Sequence, residues 1–309
     1  MFSLLTMIVI LTVAAAVIPA PAAAAKATLP WLFARGGRSL SPARSPWPRP
    51  TMRSQHWTVR YALVAYVTLW VLAIAVALVL GFAGASAPFG VGALIVEAIM
   101  LCTLFPLYRS GSLRAIDLGL RRVPGARSVG LVLLGLFVYV LLSVLWVSLV
   151  HLPPVRSTLD GIAHQSTIVI VLTGFAAAIG APVVEEIFFR GFLYRSLRNR
   201  LSIAPASLIA GAMFALVHTQ YSLLERPEQL IFGVVAALLY ERTGSLLPAI
   251  AMHSFIDATG FELALTGNGI VVIALFGLLA IVLLARPLLK GVGRHLPGKP
   301  ARSTASLAS

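Results

Sequence analysis

Residues 167–200 read TIVIVLTGFAAAIGAPVVEEIFFRGFLYRSLRNR. The first half is an uncharged apolar run suited to a bilayer, and Arg198 and Arg200 close the stretch as a stop at a membrane surface would. Between these limits stand Glu185, Glu186 and Arg190. A charged side chain at bilayer depth costs roughly 2.5–3.5 kcal/mol on insertion scales, so one that persists there is by default functional or paired. This stretch therefore sets both the fold class, a membrane-spanning helical chain, and the place to look for chemistry.

The whole chain agrees. Its 309 residues are 59% hydrophobic and 11% charged, with a mean hydropathy of +0.94. Soluble domains carry about a quarter charged residues, so an ordinary soluble fold is excluded. Windows of about twenty apolar residues predict spans at 61–83, 89–108, 128–150, 167–197, 206–223, 229–240, 245–260 and 269–286. The expected architecture is an all-α polytopic bundle of about eight transmembrane helices.

The 24 Lys+Arg against 10 Asp+Glu give a net charge of +14. The basic residues lie in loops between apolar spans, so they encode topology and no nucleic-acid partner is expected. Residues 26–60 carry Lys26, Arg35, Arg38, Arg44, Arg49, Arg53 and Arg60 with no acidic residue. The clusters at 109–127, 190–200 and 286–302 fall on the same side, and 84–88, 151–166 and 224–228 on the other. The expected location is the cell membrane, multi-pass, with basic loops and the C-terminus cytoplasmic. The single cysteine, Cys102, excludes an internal disulfide and a thiolate metal site.

By composition the chain divides into an N-terminal segment at 1–60, a membrane domain at 61–290 with its core at about 166–260, and a disordered tail at 291–309. Residues 1–25 are apolar, and 26–50 form a Pro/Arg/Ser-rich linker. Two readings of this region stay open: an uncleaved extra helix, or a true start at Met52.

Glu97, Glu185, Glu186, Arg190, His218, His253 and Asp257 are the ionisable residues inside the expected spans. With a fourth helix running to Leu197 and a fifth starting after Pro205, a rise of about 1.5 Å per residue puts Glu185 about 18 Å, His218 about 18–20 Å and His253 about 12–14 Å from the inner boundary. All three reach mid-membrane, and Gly180-Ala181-Pro182 supplies the kink that a long fourth helix needs. Glu186 and Arg190 stand four apart and share a face, which predicts an ion pair. Glu185 points about 100° away and stays free to act as a base. His253 with Asp257, and Phe214 with His218, repeat the four-residue spacing.

Each group alone has a plainer reading: a structural salt bridge, a hydrogen-bonded packing histidine, a phenylalanine in a helix contact. Converging from three helices, they read as one polar cavity. Glu97 has no evident partner in the sequence. Peptide hydrolysis needs an activated water, a donor for the tetrahedral oxyanion and a proton for the leaving amine. Glu185 with His218 suits the first and third needs and His253 the second, with water and substrate expected through the cytoplasm-facing ends.

The set Glu185-Glu186-Ile-Phe-Phe-Arg190-Gly, Phe214-Ala-Leu-Val-His218 and His253-Ser-Phe-Ile-Asp257 resembles the three motifs of the CPBP family of intramembrane proteases. That family contains the CAAX prenyl endopeptidase and the bacterial Abi and bacteriocin-immunity proteins. Arg114-Ala-Ile-Asp-Leu-Gly-Leu-Arg-Arg122 is similar to its pre-core loop. The resemblance implies a glutamic-type endopeptidase in which Glu185 activates water, His218 shares that water, and Glu186 with Arg190 form the supporting pair. It further implies that His253 and the residue at 257, Asn or Asp in the family, bind the carbonyl oxygen. An ionised Asp257 only accepts hydrogen bonds, so it is expected to orient His253 instead. No cofactor or metal is expected; the substrate implied is a peptide or a prenylated protein tail. Three alternatives remain: a zinc hydrolase, disfavoured because His-Glu-x-x-His is absent; a non-catalytic immunity or binding protein of the same fold; and a proton-coupled transporter.

Overall fold

The structure is a computed structural model and describes residues 58–82, 91–113, 117–123, 125–151, 159 and 161–293, with side chains up to residue 285. Among these residues the chain forms no strand, one short 3-10 turn at Ile162–His164 and eight long helices. They are α1 (Val59–Phe82), α2 (Val91–Arg109), α3 (Gly125–Val150), α4 (Thr167–Arg198), α5 (Ile203–Val217), α6 (Arg226–Thr243), α7 (Leu247–Thr266) and α8 (Ile270–Gly293). Helices α1 to α4 are long and apolar enough to cross a membrane. The chain is a membrane protein with a polytopic helical bundle. Exposed Val64, Val79, Phe137, Leu149 and Ile281 suit lipid-facing surfaces. The expectations for residues 1–57 and 294–309 lie outside the described residues, and α8 runs three residues into the stretch expected to be tail.

Local chemistry explains several helix ends. The Ser166 hydroxyl accepts from the Val169 N–H and caps α4. Helices α6 and α7 each open with a proline in the first turn and stop at a glycine with positive φ, Gly244 at 61° and Gly267 at 72°. Helix α5 is shorter than expected. His218 leaves the helix at φ −82°, ψ 62°, and its Nδ1 donates to the Phe214 carbonyl at 2.8 Å. That bond takes the acceptor which the next helical turn would have used.

Helix α4 is not regular. Ala176–Gly180 and Glu186–Tyr194 adopt the wider π form. Pro182 has no N–H to close an ordinary turn, and the first widening lies directly ahead of it. The second carries the acidic and basic side chains of the site. Around it α1, α2, α5 and α6 pack, burying Phe188, Phe189, Phe192, Leu193 and Tyr194 against Phe214 and Phe232.

Two contacts fix the frame. Helices α5 and α6 touch backbone to backbone, since a Cβ on Gly233 would lie 2.6 Å from the Gly211 Cα. At the other contact Arg198 donates twice to Glu241, at 3.0 and 3.2 Å, and Tyr240 Oη donates to the Leu118 carbonyl while accepting from Arg195. Arg121 Nε donates to the Gly244 carbonyl at 2.7 Å. The ends of α4 and α6, the start of α7 and the 117–123 segment thus meet on one arginine-rich end of the bundle.

Candidate active site

Six sequence-selected side chains, Glu185, Glu186, Arg190, His218, His253 and Asp257, come together between α4, the end of α5, and α7. The innermost pair is Glu186 Oε1 with Arg190 Nη1 at 2.9 Å, both side chains at most 1% exposed. The guanidinium lies 4.4 Å from the Phe214 ring centroid and 5.1 Å from that of Phe232. In so dry a setting a cation on an aromatic face contributes about 2 kcal/mol. Phe214, read in the sequence as a cavity wall or a plain packing residue, is fully buried and touches Arg190 and both imidazoles.

Glu186 has a second partner that spacing did not reveal. His253 Nδ1 donates to Glu186 Oε1 at 3.0 Å. The expected orienting role of Asp257 therefore passes to Glu186, which fixes the ring through Nδ1. Asp257 Oδ2 faces the opposite nitrogen, Nε2, at 3.4 Å. No sequence signal marks this bond, because its partners are 67 residues apart.

Glu185 Oε2 is unpaired among the described residues and lies 3.8 Å from His253 Nε2 and 3.9 Å from His218 Nε2. These separations are too long for direct hydrogen bonds and shorter than the roughly 4.5 Å that two ordinary hydrogen bonds through one water span, so a shared water would sit beside these atoms rather than between them. His218 spends its Nδ1–H on Phe214, so Nε2 offers a lone pair toward Glu185. Tyr221 stacks on His218 with ring centroids 6.2 Å apart.

Exposure grades along the site. Glu186 and Arg190 are sealed, His253 is 6% exposed, Glu185 and His218 14%, and Asp257 30%. Asp257 follows His253 along α7, away from the arginine-rich end, and His218 sits at the far end of α5. Exposure of the six side chains thus rises with distance from the arginine-rich end.

Glu97, on α2, stays outside the hydrogen-bonded cluster. It is buried, its Oε1 has no partner among the described residues, and Oε2 approaches Gly180 so closely that a Cβ there would lie 3.3 Å away. It interacts electrostatically with Glu185 and Asp257. Among the described residues no three His, Cys, Asp or Glu side chains form a group suited to holding a metal ion.

Residues 165–259 form an Rce1-like domain, matching the family described as Type II CAAX prenyl endopeptidase Rce1-like. Two curated proteins are similar to part of this chain. UPF0177 protein YxdF of Lactococcus lactis subsp. lactis (strain IL1403) is 29% identical over 86 residues, 28% of this chain and 46% of that protein. An uncharacterized 24.3 kDa protein of Escherichia coli is 31% identical over 94 residues, 29% of this chain and 43% of that protein. The matched part thus spans less than half the length of either relative. No solved structure matches. The family resemblance read from the three motifs is borne out over this domain, and at family level it is of the CAAX-protease type.

Proposed function

We propose that this protein is an intramembrane endopeptidase that hydrolyses a peptide bond with a glutamate-activated water. The observation that carries the reading is the position of Glu185 Oε2 at 3.8–3.9 Å from Nε2 of both imidazoles. A water beside Glu185 and His218 donates to both and turns its lone pairs toward the scissile carbonyl. Glu185 takes the proton as the water attacks, and the Glu185/His218 pair returns one to the leaving amine. His253, held through Nδ1 by Glu186, presents Nε2 to the oxyanion. Donation there requires protons on both ring nitrogens, a positive charge flanked by Glu186 and Asp257. The substrate is a membrane-associated peptide or a prenylated protein tail, and the chain's setting is a cell membrane with the arginine-rich end in the cytoplasm.

Asp257 favours a second reading, a binding or immunity protein of the same fold. It is an acceptor where a donor would serve the oxyanion best. Comparing protein N-termini in membranes from cells with the wild type or Glu185→Gln separates the two. Peptides produced only by the wild type support hydrolysis. Identical sets with intact biological activity in the variant would leave the binding reading. Cleavage that survives Glu185→Gln but stops on chelation would instead point to a metal enzyme.

A further inference from the structure

Granting the protease reading, we infer that Glu97 is a positioning residue for Glu185: an uncharged, proton-bearing carboxyl that donates to the widened turn Ala176–Gly180 of α4 and so fixes the backbone from which Glu185 projects. Glu97 stands on α2, outside the 165–259 domain, and takes no part in the bond-breaking steps. Two independent observations point to this role.

The first is charge. Glu97 is 6% exposed within an apolar span, and its Oε1 has no hydrogen-bond partner among the described residues. The groups that face it from α4 and α7 are acids, Glu185 and Asp257. Arg190, the cation of the site, is held by Glu186 at 2.9 Å. On α1 the Tyr66 hydroxyl donates to the Met213 carbonyl at 2.9 Å, and residues 67–82 carry no ionisable side chain. On α2 itself the nearest basic residue is Arg109, twelve positions further on. An ionised carboxylate so placed would be buried without a counter-charge and close to two groups of its own sign, whereas a protonated one costs far less.

The second is geometry. Glu97 Oε2 fills the space over Gly180, where a Cβ would lie 3.3 Å from it and 3.9 Å from the Phe175 carbonyl. This turn is short of donors. The Ala181 N–H goes to the Ala176 carbonyl, and Pro182 has no N–H, so the Ala177 carbonyl receives a bond from neither the fourth nor the fifth residue after it. Carbonyls freed by a proline at membrane depth are satisfied from neighbouring helices. Helix α2 packs against this stretch, and the O–H of a neutral Glu97 is a donor that it brings there; a carboxylate could only accept. Glu185 follows Gly180 by five residues, with Pro182 between them. The turn that Glu97 holds therefore leads directly into the base.

Glu97→Gln and Glu97→Leu in the purified full chain test this. The glutamine amide donates without being able to ionise, and leucine fills the space without donating. In infrared difference spectra at neutral pH, wild type against Glu97→Gln, the expected loss is the carbonyl band of a protonated carboxyl. Loss of carboxylate bands instead overturns the inference. Thermal melts over a pH series read the same proton independently. The unfolded chain ionises a glutamate well below neutrality, so a native state that keeps the proton loses stability as pH rises past that point. The melting temperature of Glu97→Gln minus that of the wild type is therefore expected to increase with pH, and a pH-independent difference overturns the inference. In a cleavage assay Glu97→Leu is expected to lower kcat about tenfold or more with KM held, and Glu97→Gln to recover most of that loss. Leucine at the wild-type rate, or glutamine as slow as leucine, overturns it. Where Glu97→Leu does not fold, the infrared and melting readouts of Glu97→Gln decide alone. Cleavage that is the same in the wild type and Glu185→Gln sinks the protease reading instead, and those two readouts still fix the charge of Glu97.

Discussion

At the residue scale the division of labour between adjacent glutamates follows from their partners. Glu186 is held by Arg190 at 2.9 Å and by His253 at 3.0 Å, whereas Glu185 faces two imidazole nitrogens at 3.8 and 3.9 Å, beyond direct hydrogen-bond reach. Replacing Glu185 or His218 by Ala is expected to abolish turnover in a cleavage assay while membrane yield stays near wild type, since both side chains border the accessible part of the site. Retained turnover in either variant contradicts the mechanism. Arg190→Ala removes the guanidinium from a sealed pocket and leaves Glu186 buried without it. Loss of one partner from a buried ion pair costs about 3–5 kcal/mol, so yield and melting temperature in detergent are both expected to fall; an unchanged melting temperature would show that Glu186 is satisfied through His253 alone. Asp257→Asn replaces an acceptor with an amide that donates to the oxyanion. Activity is expected to hold or rise, and complete loss in an otherwise folded variant would mean that the Asp257 charge is required to balance His253.

At the scale of elements, the four-residue spacings were readable because a single helix imposes them, and Glu186–Arg190 and His253–Asp257 both meet in space. The glycine and proline punctuation of α6 and α7 lies in the sequence too, but the hydrophobic windows at 229–240 and 245–260 did not use it. Three features were not readable. The early end of α5 depends on a side chain bonding its own helix at His218, which composition does not encode. The π turns of α4 arise from packing as well as from Pro182, and hydrophobic windows are blind to them. The Glu186–His253 bond joins helices far apart in the chain. One feature that the sequence does hold, though only a three-dimensional view gives it meaning, is the Gly211–Gly233 contact. Because a Cβ at Gly233 would run into the Gly211 backbone, Gly233→Val is expected to push α6 from α5 and lower stability by a few kcal/mol, in the range of overpacked cores. Since His218 stands at the end of α5, activity should fall further than stability alone explains. Thermal melts and turnover measured on the same preparation check this, and a Gly233→Val protein with normal values for both would show that the close approach is incidental.

At the scale of the molecule, the short α5–α6 pair set among longer helices makes bilayer thickness a variable of function. A hydrophobic element shorter than the local hydrocarbon strains the lipid around it, at fractions of a kcal/mol per Å of mismatch. Thin lipid would sit level with the 218–225 turn that joins the short pair. Thick lipid would rise against α3 and α4 and lengthen the path to His218 and Glu185. Cleavage by the purified full chain, reconstituted in vesicles of one headgroup and increasing acyl length, is therefore expected to slow several-fold toward the thickest bilayers, with the change in KM rather than kcat, because the sealed Glu186–Arg190–His253 core is remote from lipid. Equal rates at every thickness would mean that substrate reaches the site without passing the 218–225 turn. A change confined to kcat would show that the bilayer deforms the bundle down to the glutamates themselves.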